Sequence, residues 1–136
     1  MKREITLETI NKPGLNCLAD MLGLEILQID EKKLKSRMKV TLQHLAPNGY
    51  LHAATIIALA DTTCGWGTYI NLPETAGGFA TIELKSNFLG TCLEGTIYCE
   101  AVAEHIGKTT QVWDATVTNE AGKKIALFRC TQMITY

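Results

Sequence analysis

Residues 51 to 70, LHAATIIALADTTCGWGTYI, place helix formers in a run of twenty with one charged side chain, Asp61, and apolar residues on every side. A helix that is hydrophobic all round must be buried. In a chain of 136 residues that requirement dominates, because the remainder has to supply the layer that covers it. Gly65 and Gly67 point to close packing near the end of this helix, and Asn71-Leu72-Pro73 closes it.

The rest of the chain reads mainly as strands. Leu15, Leu18, Met21 and Leu22 have helical spacing and stop at Gly23, which predicts a short amphipathic helix opening the fold. Leu24 to Ile29 is apolar-rich, Asp30-Glu31-Lys32 makes a turn, and Lys33 to Leu42 alternates, with Leu34, Met38, Val40 and Leu42 on one face. Lys33, Lys35, Arg37 and Lys39 take the other face and read as a solvated row balanced by nearby acids. Four more runs follow the Gly77-Gly78 loop: Phe79 to Leu89, Gly95 to His105, Thr109 to Thr118 and Lys123 to Met133. Short turns make the last three antiparallel neighbours. About six strands and one long helix fit an α+β fold in which a curved antiparallel sheet wraps the helix, as a single domain over 1–136.

Thirteen basic and 14 acidic side chains leave a net charge of −1, so no global field draws the chain to nucleic acid or anionic lipid. No apolar stretch approaches the roughly 18 residues of a membrane span, and MKREITLETI carries charge where a signal peptide would be apolar. A cytoplasmic location is the expectation. Five cysteines without a CxxC pair argue against a disulfide framework or zinc knuckle, and His44 and His105 lack ligand spacing, so no metal is expected.

Asp61 is the chemical exception in the long helix. A buried carboxylate needs partners or a use. Either Thr62, Thr63 or a neighbouring strand satisfies it, or it is a catalytic base or nucleophile. His52, at the helix start, either fixes the entry loop or takes part in chemistry. The first backbone N–H groups, near Ala53 and Ala54, would form a positively polarised oxyanion hole. Ala53 and Asp61 are eight residues apart, roughly 12 Å along one helix axis at about 1.5 Å per residue. One carbonyl cannot reach both within a chain, so joint action requires a second copy across a two-fold axis.

The run Asn48-Gly49-Tyr50-Leu51-His52-Ala53-Ala54, followed by Ala58-Leu59-Ala60-Asp61-Thr62, resembles the hotdog-fold acyl-CoA thioesterases of the PaaI and 4-hydroxybenzoyl-CoA thioesterase type. Their signature is G-x-x-H-G-G with an acid nine residues after the histidine. The resemblance extends through Thr81–Leu89, Gly107-Lys108 and Ile125–Arg129. It implies a hotdog fold and hydrolysis of an acyl- or aryl-CoA thioester, with coenzyme A as part of the substrate and no separate cofactor. It implies a homodimer or a homotetramer built from dimers. By position, Asp61 matches the base or nucleophile, Ala53 the residue whose N–H polarises the carbonyl, His52 the loop-shaping histidine and Thr81 a water-positioning hydroxyl. Asn48, Gly49, Ala54 and Asn87 fall at substrate-binding positions, and Gly107-Lys108 lies where the family meets the CoA nucleotide. Two departures stand out: Ala53-Ala54 replaces Gly-Gly, and Ala46 replaces a polar Asn or Gln, a contact that Asn48 or Gln43 would have to supply. A hotdog dehydratase using His52 with Asp61, and a non-catalytic acyl-CoA-binding module, are the rival readings. Asp61 in an apolar helix counts against the second.

Overall fold

The computed structural model describes residues 3–14 and 16–136. Two short helices, α1 (Leu7–Ile10) and α2 (Leu18–Leu22), precede strands β1 (Leu24–Ile29) and β2 (Lys33–Lys39). A 3-10 turn (Leu42–His44) leads to the long helix α3 (Ala53–Ile70), and β3 (Gly78–Phe88), β4 (Thr96–Ile106), β5 (Thr110–Thr118) and β6 (Lys124–Thr135) complete the chain. The six strands form one antiparallel sheet in the order β1-β2-β4-β5-β6-β3, with β4, β5 and β6 adjacent as their short turns require. Irregular registers at Ile26/Gln28, Thr81/Glu83, Ala103/His105 and Val117/Thr118 add the local bends by which such a sheet curves over a helix.

Several expectations shift. The opening helix is not the first element, since α1 precedes it; α2 begins at Leu18, and Leu15 lies outside the described residues. Gly23 caps α2 at φ 75°, the left-handed conformation that suits glycine. Strand β2 ends at Lys39, so Leu34, Met38 and Val40 are buried as expected but Leu42, in the 3-10 turn, is 84% exposed. Its outward row is neutralised locally: Lys33 and Lys35 reach Glu100 at 3.4 and 3.7 Å, and Arg37 reaches Glu25 at 2.9 Å.

The helix is covered on one side only. Thr55-Ile56, Leu59-Ala60, Thr63-Cys64 and Gly67-Thr68 recur every four residues and are buried against the sheet. Ile57, Ala58, Asp61, Thr62, Trp66 and Tyr69 lie on the remaining surface and are half-buried. The all-round burial read from the sequence is therefore not achieved within one chain. The core beneath the helix includes Trp113, Leu34, Met38, Ile97, Val117 and Cys130, all fully buried.

Candidate active site

Asp61 projects from the open side of α3 toward the edge strand β3. Thr81 Oγ1 lies 3.0 Å from Asp61 Oδ1 and 2.8 Å from Gln132 Oε1. Thr81 and Gln132 are direct partners in the β3–β6 ladder, so both side chains leave the sheet on its helix-facing side. Burial pushes the Asp61 carboxyl above the ordinary carboxylate range, and a proton donated to it by Thr81 would act in the opposite direction. Of the expected partners, the neighbouring strand is the one used, through Thr81, and not Thr62 or Thr63: Thr63 donates to Leu59 O at 2.7 Å and pairs with Ser36. Asp61 Oδ2 has no hydrogen-bond partner among the described residues.

Asp61 lines a cavity of about 670 Å³ whose walls are largely apolar. Trp66, Tyr69 and Phe79 supply aromatic surface, with Trp66 and Tyr69 edge to face at 5.8 Å, and Ile5 and Leu18 come from the N-terminal segment. That segment is tied down at both ends. Arg3 donates its backbone N–H to Ile70 O at 3.1 Å and its guanidinium to Ala76 O at 2.7 Å, and it stacks 5.0 Å above the Tyr69 ring. Asn11 exchanges two 2.8 Å hydrogen bonds with the backbone of Ile26.

The helix start is built by its own sequence. Gly49 takes φ 89° in the entry turn, and Asn48 Oδ1 accepts from Tyr50 N–H at 3.3 Å. His52 is the N-cap: its Nδ1 accepts from Ala54 N–H at 2.9 Å, which places the ring proton of the neutral imidazole on Nε2. This corrects the expectation that the Ala53 and Ala54 N–H groups are both free. Ala54 is occupied, while Ala53 N–H, the first of the helix, has no partner among the described residues. His52 thus fixes the loop, as its entry-residue reading has it, and Ala53 keeps a polarised donor on exposed backbone.

The other expected positions lie elsewhere. Asn87 faces outward beside Lys85 and Arg129 in a depression of about 330 Å³, and Gly107-Lys108 lies with Asn71 and Pro73 in another of about 440 Å³. Within one chain Asp61 and Thr81 come together, whereas Ala53, Asn87 and Lys108 do not line their cavity. Gln132 escaped the sequence reading altogether. A glutamine inside an alternating strand reveals its face only through register, and the register depends on the β6 pairing.

The model of the Thioesterase superfamily matches residues 48–126. The chain belongs to the Thioesterase superfamily. A 1,4-dihydroxy-2-naphthoyl-CoA hydrolase of Listeria monocytogenes is 32% identical over 114 residues, covering 84% of this chain and 92% of the relative. A mutant of thioesterase PA1618 from Pseudomonas aeruginosa superposes with a TM-score of 0.91 at 27% identity, covering 98% of this chain and 96% of the other. The PaaI protein of Escherichia coli superposes at 0.78 with 28% identity, covering 87% and 83%. The expected PaaI-type hotdog fold is the one observed, and the chain is a thioester hydrolase by family.

Proposed function

We propose that this protein hydrolyses a CoA thioester whose acyl part is aromatic. The observation that carries the reading is the single free carboxylate oxygen of Asp61 on an aromatic-walled cavity. An acyl ring would pack against Trp66, Tyr69 and Phe79, which favours flat, polarisable groups over alkyl chains. The name of the Listeria relative supports an aryl-CoA. Ala53 N–H would polarise the carbonyl oxygen, while Asp61 either activates water or attacks the carbonyl carbon directly. Release of free thiol from a panel of aryl- and alkyl-CoA esters tests this, with kcat/KM expected at least about tenfold higher for aryl esters. No thiol release from any CoA ester would refute it.

The same reading requires a dimer. Ala53 and Asp61 stand roughly 12 Å apart on one helix, so the donor and the acid meet only across two copies. Two surfaces await cover: the half-buried face of α3, and β3, an edge strand of 11 residues whose Ile82, Leu84 and Phe88 are exposed. An apolar unpaired edge invites strand pairing. Light scattering at assay concentration should give a dimer or a tetramer built from two dimers, and an active monomer would contradict the shared site. By the resemblance alone, Gly107-Lys108 would meet the CoA nucleotide, and its place in a surface depression is compatible with that role.

A further inference from the structure

The chain Asp61–Thr81–Gln132 holds fewer protons than its spacing calls for. Thr81 Oγ1 stands 3.0 Å from one acceptor oxygen and 2.8 Å from another, yet a hydroxyl donates only once. When Asp61 is ionised, one of the two contacts must set lone pair against lone pair. The buried end decides which. Gln132 is fully buried, its Nε2 is turned to Cys130 Sγ at 3.5 Å, and its Oε1 has Thr81 as its donor. A carbonyl oxygen sealed from water loses more by going unserved than a carboxylate that opens onto a cavity.

We propose that Gln132 is a positioning residue for Asp61: it takes the Thr81 proton, so that Thr81 turns a lone pair toward Asp61 Oδ1 and favours the protonated carboxyl. The proposal rests on the catalytic reading of Asp61. In the acid form the chain runs from Asp61 O–H to Thr81 O–H to the Gln132 carbonyl, and every contact is a hydrogen bond. Asp61 thereby becomes a stronger proton acceptor. As a base it would take a proton from water as hydroxide adds to the carbonyl carbon, and return that proton to the sulfur as the C–S bond breaks. Burial of Asp61 acts in the same direction, whereas a Thr81 proton donated to the carboxylate would act against it. The other titratable groups around it are the thiols of Cys64 on α3, Cys130 on β6 and Cys17 at the cavity, with the Tyr69 phenol. None is a cation, and Asp61 is the one charged side chain among the described residues lining the cavity.

The sign of one titration tests this. Carboxyl carbon NMR follows the Asp61 midpoint in wild type, Gln132→Met and Thr81→Val. Gln132→Met keeps the length of the side chain and frees Thr81 to donate to the carboxylate, so the midpoint falls by about one pH unit. The acid limb of kcat/KM moves down with it, while KM changes by less than about twofold. Thr81→Val, at an exposed position, also lowers the midpoint because the acid loses its acceptor, and Thr81→Ser restores it. A midpoint unchanged or raised in either folded variant overturns the proposal; if Gln132→Met does not fold, Thr81→Val decides alone. The titration reads Asp61 whether or not it is catalytic. Full activity in Asp61→Asn would therefore defeat the functional reading and leave the polarity of the chain measurable.

Discussion

Asp61→Asn is expected to lower thioester turnover at least about a hundredfold, because general-base help alone is worth about 10² to 10⁴ in rate and a lost nucleophile costs more. The amide keeps the shape and a hydrogen bond to Thr81 but can neither accept the proton of water nor attack a carbonyl. Stability should move the other way. Burial holds the Asp61 carboxyl above its ordinary range, so the folded protein binds this proton more readily than the unfolded chain. That contribution is complete below the unfolded value and is lost as pH rises through the folded one. At pH 7 the carboxylate is charged, half-buried and a net cost, which asparagine removes. Thermal melts should place the variant at or above wild type at pH 7, with the difference closing as the solution is acidified toward the carboxyl range. A folded variant that keeps more than about a tenth of wild-type kcat would return Asp61 to a structural role.

What the sequence could and could not reveal follows from how far each signal travels along the chain. Strand β1 is found at Leu24–Ile29 as read, β2 stops three residues short of Leu42, and β3 to β6 shift by only a residue or two, because alternation and glycine turns are local. Asp61 is legible as a lone acid in an apolar helix, and the resemblance marks Thr81 as a water-positioning hydroxyl, but the 3.0 Å contact between the two is seen only in the structure. Gln132 was not legible, since its partner lies 51 residues away and only the ladder joins them. The N-terminal wall of the cavity was equally hidden: Ile5 and Leu18 carry no periodic signal that assigns them to a site. The capping of Ala54 by His52 was missed for a different reason. An imidazole at an N-cap competes with the serine, threonine and asparagine that usually signal one, so the sequence marks the helix start without naming the donor it consumes.

Gly67→Ala should be among the most damaging single substitutions away from the site. A methyl there would lie 2.5 Å from Trp113 Cη2 and 2.8 Å from two further ring carbons, well inside van der Waals contact. The ring has no room to yield. Trp113 is fully buried, its Nε1 donates to Gln111 Oε1 at 2.9 Å, and the Gln111 amide donates to Thr68 O and Asn71 O at 3.4 and 3.2 Å. The ring is thus fastened to the end of the same helix it would have to leave. Alanine would regain about 1 kcal/mol of helix propensity, and overpacking of this kind costs about 3 kcal/mol, for a net loss of about 2 kcal/mol. Gly65→Ala is the internal control. Its methyl would meet the Phe79 ring at 3.5 Å, ordinary contact, so it should be neutral or stabilising. Denaturant midpoints separate the two, and a Gly67→Ala protein as stable as wild type would show that the seam between α3 and β5 is not rigid. That rigidity has a functional consequence, because α3 carries Asp61 and the sheet carries Thr81. A helix lifted off Trp113 would lengthen the 3.0 Å contact between them, so Gly67→Ala should also reduce kcat in whatever fraction remains folded.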